Sequence, residues 1–196
     1  MAAIKSGGSR RNVDSHNAII EATIELLGTM GYVNFTIEKV AARAGVGKQT
    51  IYRWWGSKAD LVLEVWRDHL LPPVPKYDGS TSLKKYLIKT LSEFGKHIGK
   101  TGCRQAAICI LSETHRDPDL HTRMESDVYF PRIELILAAF KLAEANGEFS
   151  HPKDINILID QLYGAVWYKV IIRFEKVDSK FTRKLVDQVF AGLEAQ

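Results

Sequence analysis

The stretch GVGKQTIYRWWGSKADLV, from Gly45 to Val62, concentrates side chains whose chemistry suits contacts with nucleic acid. Lys48 and Gln49 can hydrogen-bond to base edges in the major groove, and Gly47 lets the backbone approach that groove closely. Lys58 opens a following helix, where an ammonium group and free amide N–H groups together can bind a phosphate. These residues therefore indicate non-covalent recognition of double-stranded DNA.

The two adjacent tryptophans in this stretch have different predicted roles. Ile51 and Trp55 are four residues apart, so a helix places both on one face, which we expect to be buried. Trp54 points about 100° away from that face, where its indole N–H can reach a phosphate. Five residues of this helix are predicted to face outward or sideways, namely Lys48, Gln49, Thr50, Tyr52 and Arg53.

A helix-turn-helix is the element that would position these side chains. Thr36 is the predicted N-cap of one short helix, which ends at Gly45, and a second helix begins at Lys48 after the turn GVG. An earlier helix ends at Gly31, and Ser57 opens a capping box at the start of the helix that follows. In such a motif the second short helix enters the major groove.

The rest of the chain also has helical periodicity, and no stretch alternates convincingly as a β-strand would. The loop LPPVPKYDGSTS holds three of the six prolines and is the clearest internal boundary. We expect Pro131 to kink or interrupt the helix that Asp117 and Pro118 begin. Five helices are predicted beyond the loop, at about 82–98, 103–115, 117–146, 153–175 and 179–194. The fold class is therefore all-α.

Charge, cysteine spacing and hydropathy limit the classes of protein to which the chain can belong. The net charge of +4 and the pI of about 9.0 permit an anionic partner. The spacing of Cys103 and Cys109 indicates buried thiols in a reducing compartment rather than a disulfide or metal site. The N-terminus lacks the apolar core of a signal peptide, and Asp160, Lys169 and Arg173 argue against a membrane span. We expect a cytoplasmic protein that does not enter a membrane.

Two other groups of residues could form sites but have simpler interpretations. The segment SETHRDPDLHTR, residues 112–123, holds carboxylates and imidazoles, but their spacing matches no metal motif, and a solvated helix junction is favoured. Lys5, Arg10 and Arg11 form a basic tail within residues 1–12, which either contacts phosphates or is simply flexible. We expect no metal and no cofactor, and no nucleophile–base pair indicates an enzyme.

The segment TIEKVAARAGVGKQTIYRWWGSKADLV, residues 36–62, resembles the DNA-binding signature of the TetR family of transcriptional regulators. With the preceding helix, the resemblance covers residues 17–66. Trp54 stands where the family often has His or Tyr, and Trp55 where Phe is usual. The resemblance implies framework or phosphate-contact roles for Thr36, Val40, Ala41, Gly45, Val46, Ile51, Tyr52, Ser57, Lys58 and Leu61.

The resemblance also implies an all-helical ligand-binding domain whose last two long helices pair in a homodimer. The final helix independently carries an apolar stripe, which fits either this interface or the internal core. The predicted interface residues are Gly164, which permits close helix approach, and Ile171, Phe181, Leu185, Val189 and Leu193. The residues predicted to line an effector pocket, or only to fill the core, are Phe94, Cys109, Tyr129, Tyr163 and Trp167.

The residue patterns and the family resemblance together imply two domains and one leading function. Residues 1–60 form the helix-turn-helix head, and residues 61–196 form a helical bundle for ligand binding and dimerisation. The leading function is a transcriptional repressor that binds a palindromic operator as a homodimer and is released by a small-molecule effector. The effector would tilt the helix that begins at Ser57 and so change the separation of the two heads. A DNA-binding protein without an effector and an all-helical enzyme are the two alternatives.

Overall fold

The computed structural model describes residues 7–148 and 154–194, with side-chain surroundings for residues 13–148 and 154–192. Regular structure in these ranges is helical, and they contain no strand, which confirms the all-α prediction. The α-helices are α1 Gly7–Asn34, α2 Ile37–Ala44, α3 Lys48–Tyr52, α4 Lys58–Glu64, α5 Leu83–Ile98, α6 Thr101–Thr114, α7 Pro118–Met124, α8 Phe130–Ala145, α9 Ile155–Trp167 and α10 Ser179–Glu194. Three π-helical segments continue α4, α7 and α9, at Val65–Leu70, Glu125–Tyr129 and Tyr168–Ile172.

Local sequence signals set the ends of the short N-terminal helices. The Thr36 hydroxyl accepts a hydrogen bond from the Lys39 amide at 3.3 Å and so caps α2. Gly45 ends α2 with φ 67° and ψ 32°, a left-handed conformation that suits glycine. The Ser57 hydroxyl accepts from the Asp60 amide at 3.1 Å and caps α4. The predicted caps of both helices are thus present.

The first helix begins earlier than predicted, and Gly31 interrupts it where the sequence predicts its end. It begins at Gly7, so residues 7–12 of the predicted tail are helical, and residues 1–6 lie outside the described residues. Gly31 has φ 73° and ψ 168°, a non-helical conformation that separates the long part of α1 from a short turn after it. The Phe35 amide donates to the Gly31 carbonyl at 3.1 Å, and this bond helps to carry one more turn past the kink.

The predicted helix at about 117–146 is divided, as the proline in it suggested. The Asp117 carboxylate accepts from the Leu120 amide at 3.0 Å and caps α7, and Pro118 occupies the first helical turn. The π-helical segment Glu125–Tyr129 then precedes Pro131, which lies in the first turn of α8. A wider turn at this place accommodates a residue that has no amide hydrogen to donate.

The C-terminal part is a helical bundle that is joined to the head by a helix. The predicted boundary after residue 60 falls inside α4, so no flexible linker separates the two parts. α1 also packs along α6, and α10 packs on α5 and α9. The face of α10 that enters the core consists of Thr182, Val186 and Phe190.

The apolar segment Ile155–Ile172, which comprises α9 and its π-helical continuation, is long and apolar enough to cross a membrane, and 28% of it is buried. Two charged residues, Asp160 and Lys169, lie within it, and the Lys169 ammonium pairs with Glu175. α9 packs against α5, α8 and α10. Part of its apolar surface therefore belongs to the core of the bundle, and the rest faces outward.

Candidate nucleic-acid interface and internal cavity

The second short helix of the head, α3, is attached to the core by one side only. Ile51 is fully buried and Trp55 is 2% exposed, as their four-residue spacing predicts. Gly47 precedes the helix in an extended conformation and lies open to solvent. α3 therefore packs through its apolar side and leaves its polar side accessible.

The paired tryptophans fix α3 to the helices on either side of it. The Trp55 indole N–H donates to the Glu64 carboxylate at 2.8 Å, and the other oxygen of Glu64 lies 2.9 Å from His16 Nε2. The His16 ring lies 5.1 Å from the Trp55 ring and 5.2 Å from the Trp54 ring, measured between centroids. Trp54 is partly buried and meets Trp55 edge-on. The Trp55 indole thus packs between α1 and α4, and the Trp54 indole packs against His16 and Trp55. The predicted phosphate contact of Trp54 stays a prediction.

Most of the residues predicted to contact DNA share one exposed surface. Thr36, Thr50 and Trp54 are partly buried at its edge. The exposed members are Gly47, Lys48, Gln49, Tyr52 and Arg53. Within the described residues, this surface combines a lysine, an arginine, an amide and a phenol, which are groups that can contact bases and phosphates.

Glu38 on α2 places a negative charge beside this surface. Its carboxylate lies 2.9 Å from the Lys48 ammonium, and both side chains are more than half exposed. The hydrogen bond from Lys48 lowers the pKa of Glu38 to about 2, so the carboxylate is ionised at neutral pH. The Lys48 ammonium must leave this ion pair, or share it, in order to reach a base.

Lys58 is placed differently from the prediction that it binds a phosphate. Its ammonium points into the head and donates to the carbonyl oxygens of Tyr32 and Phe35, at 3.0 and 3.2 Å. It also lies 3.8 Å from the centre of the Tyr32 ring, and burial lowers the pKa of Lys58. A helix C-terminus has carbonyl groups without partners, and these attract a cation. In this conformation Lys58 binds the end of α1.

An ion pair that the sequence did not reveal joins the head to the bundle. The Asp60 carboxylate on α4 accepts from the Arg123 guanidinium on α7 and from the Ser57 hydroxyl. The hydrogen bonds of Ser57 and Arg123 lower the pKa of Asp60 despite its partial burial. The two charged residues are 63 positions apart, and no local pattern in the sequence links them.

A cavity of about 350 Å³ lies in the bundle among α5, α8 and α9. Four of the five predicted pocket residues line it, namely Phe94, Tyr129, Tyr163 and Trp167. The Phe94 ring packs edge-on against both Tyr163 and Trp167, with centroids 5.3 and 5.4 Å apart. The sequence missed the other lining residues, which are Leu71, Arg132, Ile133, Ile136, Ile159, Asp160 and Gly164.

Cys109, the fifth predicted pocket residue, does not line this cavity. It borders a separate cleft between α1 and α6, where its sulfur lies close to Gly31. The rotation of α6 about its axis turns Cys109 toward α1 rather than toward α9, and tertiary packing sets this rotation. Both cysteines are partly buried rather than fully buried, and burial raises the pKa of each thiol.

The predicted interface residues are exposed or partly buried where the structure describes their side chains. Gly164 is exposed and also borders the cavity, and a side-chain atom at that position would meet nothing within 4 Å. The side chain of Leu193 lies outside the described residues. The remaining four, Ile171, Phe181, Leu185 and Val189, are partly buried.

Comparisons with known proteins agree with this arrangement. The family model described as bacterial regulatory proteins, tetR family, matches residues 19–65, and the model described as Tetracyclin repressor-like, C-terminal domain, matches residues 79–189. The chain is 26% identical over 190 residues to YdeS of Bacillus subtilis strain 168, named an uncharacterized HTH-type transcriptional regulator. That match covers 96% of this chain and 94% of YdeS.

Solved structures of similar fold cover most of the chain. The TetR family transcription regulator SCO0332 is 28% identical, with a TM-score of 0.64 over 91% of this chain and 98% of that one. FadR from Bacillus subtilis, solved in complex with stearoyl-CoA, is 16% identical, with a TM-score of 0.71 over 89% of this chain and 97% of that one. The chain belongs to the TetR family of transcriptional regulators, with an N-terminal helix-turn-helix DNA-binding domain and a helical C-terminal domain, and it is not an enzyme.

Proposed function

We propose that this chain is a cytoplasmic repressor that binds a palindromic operator as a homodimer and is released by a small-molecule effector. The observation that carries the proposal is the connection between α3 and the cavity. α4 follows α3 after a short turn, and its π-helical continuation brings Trp66 onto Trp167 in the cavity wall, with ring centroids 6.3 Å apart. A ligand in the cavity can thus act on α4, and α4 carries the head.

We assign DNA contacts to the exposed surface around α3. Lys48 and Gln49 read bases, since both are exposed near the start of α3. Lys58 keeps its place on the end of α1 and supports the head from inside. The remaining proposed contacts are Thr36, Gly47, Thr50, Tyr52, Arg53 and Trp54, which position the head on phosphates and sugars.

The homodimer is proposed from the outward face of α9 and its continuation. Ile157, Gly164, Tyr168 and Ile172 recur at helical spacing, which places them on one side of the helix. Ile157, Tyr168 and Ile172 are 54, 58 and 62% exposed. A stripe of large apolar residues in water is typical of a surface that another protein covers. The partly buried flank of α10, with Phe181, Leu185 and Val189, extends the same proposed interface.

Light scattering with an interface variant tests the dimer. Ile172→Glu places a charge in the proposed interface, and we expect monomers with weak operator binding because each head then binds one half-site alone. Phe130→Glu is the matched control, since Phe130 is 54% exposed on α8 and is not one of the residues of the proposed interface. If Ile172→Glu remains dimeric, or if both variants dissociate equally, the proposed interface is wrong.

The effector role is tested by release of DNA. An operator is first selected from random duplexes, and its complex with the protein is then titrated with a metabolite library. We expect at least one compound to dissociate the complex, and Trp167→Ala to bind the operator while losing that response. An effector shifts the equilibrium only if it prefers the conformation that does not bind DNA. If no compound changes operator affinity, or if the variant responds as the wild type does, the chain fits a DNA-binding protein without an effector at this site.

A further inference from the structure

The cavity wall contains a cation without an acidic partner. Arg132 on α8 is partly buried, and one of its terminal nitrogens donates to the Pro72 carbonyl at 2.7 Å. Its electrostatic neighbours are the hydroxyls of Tyr129 and Tyr163, and burial lowers the pKa of Arg132. Within the described residues no carboxylate forms an ion pair with it. A guanidinium has five N–H donors, so most of its capacity is available to a ligand.

A second polar group of the wall also lacks a partner. The Tyr163 hydroxyl is buried and has no hydrogen-bond partner among the described residues. Burial raises the pKa of Tyr163, which keeps the hydroxyl neutral and able to donate. An unpaired buried hydroxyl destabilises a protein, and a bound acceptor would relieve that cost. Arg132 and Tyr163 therefore offer complementary donors to the same space.

The remaining surface of the cavity defines the rest of a ligand. Most of its lining is aromatic or aliphatic, and its volume of about 350 Å³ is near the lower end for ligand sites. Asp160 also borders the cavity and is exposed, so it would repel a second negative charge. The site thus fits a compact apolar molecule with a single anionic group.

We infer that the effector is a compact, largely apolar monocarboxylate whose carboxylate binds Arg132 and accepts a hydrogen bond from Tyr163. The inference rests on the proposed function, in which this cavity is the effector site. A carboxylate accepts two parallel N–H bonds from a guanidinium, and such charge-assisted bonds are stronger than neutral ones. The apolar body of the ligand packs against Phe94, Ile136 and Trp167, which line the rest of the space.

The same contact links the ligand to the helix that carries the head. Pro72, whose carbonyl holds Arg132, follows directly after Leu71, which lines the cavity at the end of the α4 continuation. A carboxylate that binds the remaining N–H donors draws the guanidinium toward itself and away from the Pro72 carbonyl. Binding of the ligand therefore weakens one of the bonds that fix the end of α4, while the bond between His97 and the His69 carbonyl, at 2.8 Å, remains.

Calorimetric titration of the full chain without DNA tests the inference. The probes are 2-naphthoate, 3-phenylpropionate and octanoate, each compared with its own primary amide. We expect at least one carboxylate to bind about tenfold or more tightly than its amide, because a hydrogen-bonded charge is absent from the amide. Arg132→Met should abolish this preference and Arg132→Lys should retain part of it. Lys96→Met, which changes an exposed lysine on α5, is the control and should leave the preference for the carboxylate over its amide unchanged.

Tyr163→Phe provides a second variant that keeps the fold, since the hydroxyl it removes has no partner in the part of the chain that the structure describes. It should weaken binding of the carboxylate severalfold and affect the amide less. The inference is overturned if no carboxylate binds, if each amide binds as tightly as its acid, or if Arg132→Met keeps the preference. A carboxylate that binds through Arg132 without releasing operator DNA supports the site and contradicts the effector role. An uncharged compound that releases DNA supports the effector role and contradicts the ligand class.

Discussion

Lys58→Met is expected to destabilise the head because Lys58 holds the end of α1 in place. The variant lacks two hydrogen bonds to the carbonyls of Tyr32 and Phe35 and the interaction with the Tyr32 ring. A hydrogen bond to a charged group contributes about 1.5–3 kcal/mol, and these two share one partly buried donor. The cation–π interaction adds about 0.5–1 kcal/mol. We expect a total decrease of about 3 kcal/mol in the free energy of unfolding, since such contributions are not additive.

Thermal unfolding measures this decrease directly. For a chain of this size, about 3 kcal/mol corresponds to a fall in Tm of roughly 6–12 °C. All samples need the same protein concentration, because dimerisation makes Tm depend on it. Lys96→Met is the control, because Lys96 is exposed and pairs with Glu93 three residues earlier on the surface of α5. Its Tm should change by less than about 2 °C.

The salt dependence of DNA binding separates this internal role from a phosphate contact. A lysine that neutralises a phosphate lowers the magnitude of the slope of log K against log salt by about one when it is removed. We expect Lys58→Met, measured well below its Tm, to keep the slope of the wild type. An unchanged Tm together with a slope reduced by about one would refute the internal role and restore the phosphate contact.

Two further substitutions test the charge beside α3 and the unpaired hydroxyl of the cavity. Glu38→Gln should strengthen DNA binding at low salt, because it removes a negative charge and frees Lys48 from its ion pair. Since the pKa of Glu38 is lowered to about 2, any stability from this carboxylate is lost only as pH falls toward 2. The ratio of the DNA affinities of the variant and the wild type should therefore stay constant from about pH 5 to 8. Fluorescence anisotropy measures the DNA affinities of both proteins, and weaker binding by Glu38→Gln than by the wild type would contradict the prediction for Glu38. Tyr163→Phe should raise the free energy of unfolding by about 1 kcal/mol in urea, since it removes a buried hydroxyl that has no partner within residues 13–148 and 154–192. A comparable decrease in stability would mean that the hydroxyl is paired.

The sequence was most informative where local chemistry decides local structure. The caps at Thr36, Gly45 and Ser57 depend on neighbouring residues, so residue type and spacing are enough to predict them. The burial of Ile51 on α3 and of Trp55, three residues after the end of α3, follows from their four-residue spacing. The outer face of α3 is the complement of this buried pair, so the candidate DNA contacts follow from the sequence as well.

Residues that act through long-range packing could not be placed in the same way. The Lys58 ammonium could face solvent, but in the structure it binds two carbonyl groups that lie 23 and 26 residues away in the sequence. The kink at Gly31 helps to position those carbonyl groups. The position of Cys109 depends on the rotation of α6, which turns the thiol toward α1 and away from the cavity. Arg132 is three residues after Tyr129 on the same continuous run of helix, but an arginine in a helix usually faces solvent, so its type does not indicate a cavity wall.

Selection of duplexes from a random pool, with the wild type and Gln49→Ala in parallel, tests the central claim most directly. The claim is that two α3 helices of a homodimer read two half-sites. The account predicts a palindromic motif for the wild type, with half-sites one helical turn or a multiple of it apart. It predicts that Gln49→Ala relaxes the preference at one symmetry-related pair of positions, at a cost of roughly 1–3 kcal/mol for each base-specific pair of hydrogen bonds removed. Enrichment of no motif, of a motif without twofold symmetry, or of the same preference at every position in both proteins would contradict it.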